Sequence, residues 1–219
     1  MRTLIISDTH IGDPRFNNEF IANVLKKKKF NRLVLNGDFI DLWLDSFEEI
    51  KKDKLFILVQ EIAKTKEVIW IQGNHDYRII DYKDELSNIK VVDKLEFVDN
   101  GRRILILHGH QLYDHQNMGK NSILATKINN FIYRHTKIDL QTFFNTMRLY
   151  FWTVRKRRKS LLNAFGKNFD VLIIGHTHCF GYASNGETEL FDIGSAILTK
   201  SWAAINDGAV WVEVSWDNK

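Results

Sequence analysis

Short runs of aliphatic and β-branched residues, each closed by turn-forming residues, recur along the chain at Thr3 to Ser7, Arg32 to Leu35, Glu67 to Ile71, Arg103 to Leu107, Val171 to Ile174 and Ala209 to Trp216. Runs of this length and composition predict strands. Between the first three lie segments with helical spacing and crossover length, Phe16 to Lys29 and Phe47 to Lys64. The first half therefore reads β-α-β-α-β, a parallel sheet covered by helices. From Val171 onward short strands follow one another. Val210, Val212 and Val214 alternate there with Trp211, Glu213 and Ser215, the period of a half-exposed antiparallel strand. The pattern predicts two sheets packed together with helices outside, in a single domain over residues 1–219.

Residues 111–169 interrupt this order. Leu140, Phe143, Phe144, Met147, Phe151 and Val154 fall on one face of a helix, and the stripe runs into five consecutive cations, Arg155 to Lys159, and on to Leu161, Leu162 and Phe165. Such a stripe is ordinarily core. With a basic end it also suits a lid or a membrane contact through residues 139–165. Charge sharpens the picture: the segment holds eleven Lys or Arg against two acids, whereas the rest of the chain carries 20 bases and 25 acids. The overall net charge of +4 therefore belongs to the insertion. A basic insertion on a mildly acidic body points to a phosphate-bearing partner, whether lipid head group, nucleotide or nucleic acid. The bland reading, a solvated helix face, fits Lys26 to Lys29 better than Arg155, Arg157 and Arg158, which are carried forward as candidate substrate contacts.

One cysteine in 219 residues excludes an internal disulfide framework and any zinc ribbon. A reducing compartment is expected, with the N-terminus a first strand rather than a signal segment, hence a cytoplasmic protein that at most touches the inner face of a membrane. No stretch approaches the roughly 20 apolar residues of a spanning helix.

Five polar clusters stand where predicted strands end: Asp8 and His10; Gly37-Asp38 with Asp41; Gly73-Asn74-His75-Asp76; His108-Gly109-His110; and Gly175-His176-Thr177-His178. Each alone is an ordinary loop. In an open α/β sheet, however, the loops leaving the carboxyl ends of the strands converge. Asp8, His10, Asp38, Asn74, His108, His176 and His178 together form an oxygen and nitrogen donor set without thiolate, suited to two divalent transition metals.

In order and glycine placement these clusters resemble the motif series of the calcineurin-like metallophosphoesterases, D-x-H, G-D-x-x-D, G-N-H-[DE], H and G-H-x-H, from Asp8 to His178. The resemblance implies a four-layer α/β/β/α sandwich with a helical insertion. It also implies that Asp8, His10 and His178 hold one metal, Asn74, His108 and His176 the second, and Asp38 bridges them. Manganese is the first choice, with iron and zinc as alternatives. The implied activity is hydrolysis of a phosphodiester or pyrophosphate by a metal-bridging hydroxide, with His75 as general acid and Asp41 orienting it. Two dications against the Asp8 and Asp38 carboxylates and one hydroxide leave a centre near +1, and the neutral Asn74 helps keep that surplus. The competing reading of Asp41 is a helix N-cap.

Trp43, the His108 cluster and the helical insertion are similar to the UDP-2,3-diacylglucosamine hydrolase branch, which cleaves a pyrophosphate at the membrane. The chain departs from that branch at His75, where the branch has Arg, and at His110, where it has Asp. His110 is left as a substrate phosphate contact or a surface histidine. Three alternatives stand beside the leading reading: that lipid pyrophosphate hydrolase, a metal-dependent nuclease for which the basic segment tracks a nucleic acid, and a non-catalytic scaffold.

Overall fold

A computed structural model of the chain describes residues 1–16, 18–86, 88–112, 120–137, 148–196 and 200–214. Its strands alternate their side chains between two faces, and this pleat sorts the aliphatic residues into separate cores. In β1 (Thr3–Ile6) and β2 (Arg32–Asn36), Leu4, Ile6, Leu33 and Leu35 point to one side and Ile5 and Val34 to the other. The first side is covered by α1 (Asn18–Lys27), α2 (Phe47–Ile50) and α3 (Lys54–Ala63). Helix α1 buries Ile21, Val24 and Leu25, an i, i+3, i+4 stripe, and α3 buries Leu55, Phe56 and Val59.

The opposite side meets a second sheet. Ile5, Val34 and Ile71 of β3 (Glu67–Ile71) share a core with Ile104 and Ile106 of β6 (Arg102–Leu107) and with Val171 and Ile173 of β7 (Val171–Ile174). The outer face of that sheet, Leu105, Leu107, Leu172 and Ile174, is closed by Leu161 and Leu162 of α5 (Arg148–Phe165). The result is helices, sheet, sheet, helix, as the sequence pattern implies. Fully burying one such aliphatic side chain is worth about 1.5–3 kcal/mol, so the three cores hold both sheets against the strain described below.

The remaining strands are β4 (Ile89–Val92), β5 (Lys94–Asp99), β8 (Phe180–Ser184), β9 (Glu189–Ile193), β10 (Ser201–Asn206) and β11 (Ala209–Val214). The first sheet has the order β11-β10-β1-β2-β3-β4, the second β5-β6-β7-β9-β8. Strands β1 to β4 are parallel, and so are β6, β7 and β9. The tail from Val171 is thus more mixed than the sequence suggests: β7 and β9 run parallel, while the β10–β11 hairpin crosses back to pair antiparallel with β1. Val210, Val212 and Val214 do alternate with exposed Trp211 and Glu213, and the last positions of that expected strand lie outside the described residues.

The expected helix Phe47 to Lys64 is two helices. Ser46 caps α2 by accepting from Glu49 N, and Asp53 restarts the chain as N-cap of α3 by accepting from Leu55 N. The insertion contributes α4 (Lys120–Thr136) and α5. Leu140, Phe143, Phe144 and Met147 lie outside the described residues. Of the rest of that stripe, Val154 is buried and Phe151 is exposed. No described helix is long and apolar enough to cross a membrane.

Candidate metal centre

All five polar clusters leave the carboxyl ends of parallel strands, three in the first sheet (β1, β2, β3) and two in the second (β6, β7). Backbone hydrogen bonds knit the loops together. Asp8 N donates to Gly37 O at 3.1 Å, His10 N to Asp38 O at 2.8 Å, and Gly175 N to His108 O at 3.0 Å. Two glycines let the sheets close on the site. A Cβ at Gly37 would overlap the His108 ring, and its φ of +76° is already left-handed. A Cβ at Gly175 would overlap Ser7 Oγ and the Asp8 carboxylate. We therefore expect Gly175→Ala to push Asp8 out of place, lowering metal retention at least tenfold and Tm by several degrees, by metal analysis and calorimetry; unchanged values for both would contradict this packing.

The candidate ligands Asp8, His10, Asp38, His176 and His178 all have φ between +52° and +66°. The left-handed region disfavours a Cβ by roughly 1–2 kcal/mol per residue, though Asp, Asn and His enter it more readily than most. Five such residues in one cavity amount to strain concentrated where side chains must face inward from short turns.

The donors converge. His178 Nε2 lies 3.1 Å from Asp8 Oδ1 and 3.4 Å from His10 Nε2, and one ligand atom from each of Asp8, His10 and His178 falls within 4.8 Å of the others. Asp38, His108 and His176 form a second such group, with His108 Nε2 3.2 Å from Asp38 Oδ2. Asp38 Oδ2 is also 3.8 Å from His10 Nε2, so this carboxylate sits between the two groups. Its other oxygen accepts from His75 N at 2.7 Å. Donors about 2.0–2.2 Å from one tetrahedral ion would stand about 3.3–3.6 Å apart, near the 3.1–3.4 Å separations here, while the 3.8 Å between Asp38 and His10 would close slightly on coordination. Asn74 Oδ1, in the loop that leaves β3, is buried and has no hydrogen-bond partner, an orphaned acceptor.

Ring orientation is set from behind. His108 Nδ1 donates to Asn36 O at 2.8 Å, which turns Nε2 inward. Asp41 Oδ2 serves two imidazoles, His75 Nδ1 at 2.8 Å and His10 Nδ1 at 3.2 Å. Asp41 Oδ1 accepts from Trp43 N at 3.1 Å, and the cap of α2 is Ser46. Asp41 therefore combines a local turn with orientation of two site histidines. Asp76 is a brace. It is fully buried and accepts from Phe39 N, Trp70 Nε1 and Gly73 N, tying the β2 loop to the β3 loop.

Electrostatics show a cavity short of positive charge. Burial would raise the Asp8 carboxyl, but His178 and His108 outweigh it and hold it at about 2. Asp38, equally buried, is held well below the carboxylate range by His108 and His75. Burial should lower the imidazoles, yet Asp41 and Asp38 raise His10 to about 9, and Asp38 and Asp8 raise His108 to about 10. His176 goes the other way, well down, by burial and then by the charge on His108. The carboxylates thus draw cations in, protons when nothing else is present. A divalent ion fits that demand and this donor set.

The other sequence candidates spread around this centre. His110 is buried, its ring centroid 5.4 Å from that of His108, and it lines a smaller cavity of about 270 Å³ with Gly73 and Tyr77. Arg157 is close enough for its charge to bear on His176. Arg155 is exposed. Arg158 is committed elsewhere: Nε meets Asp192 Oδ2 at 3.0 Å and an Nη donates to Cys179 O at 2.8 Å. Thr177 Oγ1 donates to the same Asp192 carboxylate at 2.6 Å, so Arg158 braces the loop that presents His176 and His178. Sequence reasoning missed Asp192 and also Arg15, whose Nη2 pairs with Asp13 at 2.6 Å.

A cleft of about 420 Å³ opens over the first donor group. His10, His75, Asp41 and His178 line it together with Arg15 and, from α4, Ala125, Ile128 and Asn129. Leu124, Ile128 and Phe131, at i, i+4 and i+7 of α4, are exposed, and Ile128 among them lines the cleft.

The calcineurin-like phosphoesterase family model matches residues 1–180. No curated protein matches the chain. Among solved structures, an archaeal phosphodiesterase is similar with a TM-score of 0.54 at 15% identity, covering 98% of this chain and 100% of its own. The Escherichia coli phosphoesterase Yfce gives 0.53 at 17% identity, over 96% and 91% of the two chains. Vacuolar protein sorting 29 from Cryptosporidium parvum gives 0.50 at 15% identity, over 98% of this chain and 96% of its own. At these identities the likeness concerns the fold.

Proposed function

The chain belongs to the calcineurin-like phosphoesterase family, and from that premise we propose that it is a dimetal phosphoesterase cleaving a phosphodiester or pyrophosphate bond. The observation that carries this reading is the placement of Asp38 between two groups of donors, with all seven candidate ligands at one edge of the paired sheets. Asp8, His10 and His178 would hold one ion, Asn74, His108 and His176 the other, and Asp38 both. When bound, two divalent ions supply a hydroxide from water at neutral pH and offset charge on the phosphoryl oxygens. His75 lies in the cleft with Nδ1 on Asp41, which leaves Nε2 to donate a proton to the departing oxygen. Arg157 adds positive charge near His176, while Arg15 in the cleft wall is paired with Asp13. Manganese is the ion to try first.

A non-catalytic scaffold role is disfavoured by the completeness of the donor set. A second catalytic reading has its own support. The apolar edge of α4, with exposed Phe151 and Trp152 on α5, suits a nucleotide-linked substrate bearing acyl chains and held at a membrane surface. The nuclease reading rests on the basic insertion alone.

Chelator-treated protein should be inactive on bis-p-nitrophenyl phosphate and regain turnover with manganese. Run beside it, an acylated nucleotide and an oligonucleotide distinguish the branches, since nucleic-acid binding should weaken steeply with salt. Absence of metal-dependent turnover across the whole panel would overturn the enzymatic reading.

A further inference from the structure

Trp43 is the one aromatic side chain among the described residues that lies flat on a site histidine. Its ring stacks on His75 with centroids 3.7 Å apart and planes 27° from parallel. His75 is held edge-on from another side by His10, at 4.7 Å and 87°. Its Nδ1 is tied to Asp41 at 2.8 Å, and the backbone N of Trp43 bonds the other oxygen of that carboxylate at 3.1 Å. The indole nitrogen of Trp43 is buried without a hydrogen bond, so ring stacking and packing, with no polar tether on the indole, fix its position.

This clamp answers a geometric hazard. A ring nitrogen of His75 comes within 4.8 Å of ligand atoms of both His10 and Asp38, close enough for the imidazole to be captured as an extra ligand. A histidine that ligates cannot also give its proton to a leaving group. We propose that Trp43 is a positioning residue for the phosphoester cleavage proposed above, holding the His75 imidazole in the plane that keeps Nδ1 on Asp41 and Nε2 in the cleft. The inference rests on that reading of the site. Trp43 touches the donor rather than the substrate, so its effect should follow the need for a proton. Misplacement of a catalytic group by about 1 Å can cost about 100-fold.

Two diesters of the same shape test this: diphenyl phosphate, whose leaving phenoxide needs a proton, and bis-p-nitrophenyl phosphate, whose leaving group departs readily as an anion. Trp43→Leu should lower kcat on diphenyl phosphate about tenfold or more with KM and bound metal unchanged, and alter kcat on bis-p-nitrophenyl phosphate less than about twofold. Trp43→Phe should restore most of the loss. Equal loss on both esters, a raised KM at preserved kcat, or loss of metal would overturn the proposal. A measurement without turnover keeps the two inferences apart: the proton shared by His75 Nδ1 and Asp41 should give a downfield resonance in the wild type and in Trp43→Phe loaded with diamagnetic zinc. Its persistence in Trp43→Leu would refute the clamp even if neither ester is a substrate.

Discussion

Asp38→Asn is expected to lower kcat/KM on bis-p-nitrophenyl phosphate by about 10³-fold or more, with the fold intact. The physical reason lies in the two oxygens. Oδ1 is anchored by the backbone N–H of His75, and Oδ2 faces His108 at 3.2 Å and His10 at 3.8 Å. An amide at this position keeps the volume but removes a negative charge. It must also turn either its NH2 toward the donors or its oxygen away from them. Asp38 shares candidate groups with both His10 and the His108–His176 pair. Metal analysis should show fewer ions per chain in the variant, and circular dichroism an unchanged fold. Retention of more than about a tenth of wild-type activity would contradict a shared ligand.

His75→Ala is expected to cost about 10²–10⁴-fold in kcat on diphenyl phosphate, the span associated with general acid catalysis, and far less on bis-p-nitrophenyl phosphate. Nothing in the backbone opposes the change. The His75 N–H that anchors Asp38 remains, and Asp41 still holds His10. Metal content should therefore stay at the wild-type level. A drop in bound metal would mean that His75 acts as a ligand, the alternative its nearness to His10 and Asp38 leaves open. Equal losses on the two esters would remove proton donation from its role. Asp41→Asn should reproduce part of the leaving-group dependence and add a loss of metal, since the same oxygen also orients His10.

Much of this arrangement can be read from the sequence, because aliphatic runs ending in polar residues fix both the strands and the edge at which their loops meet. The alternation of Leu4, Ile5 and Ile6 already separates two cores. What stayed hidden depends on distance in three dimensions. The β10–β11 hairpin joins the first sheet although it follows two strands of the second, a choice made by the burial of Ala203 and Ile205 between the sheets. Strand β5 was readable in principle, since Lys94 to Asp99 alternates exposed and half-buried positions at the sheet edge. The split between α2 and α3 was signalled by Asp53. No local pattern, by contrast, announces that Arg158 reaches Asp192 or that Trp43 lies on His75. Those contacts join residues whose spacing carries no period.

The left-handed turns at the ligand positions change how this protein should be dissected. Alanine is the usual neutral eraser of a side chain, but at Asp8, His10, Asp38, His176 and His178 it would still carry a Cβ into backbone that resists one. Glycine deletes the donor and relaxes the turn together. A glycine scan of these five positions would therefore separate the loss of ions from conformational damage, and the most heat-resistant form of this chain would be one that has given up its chemistry.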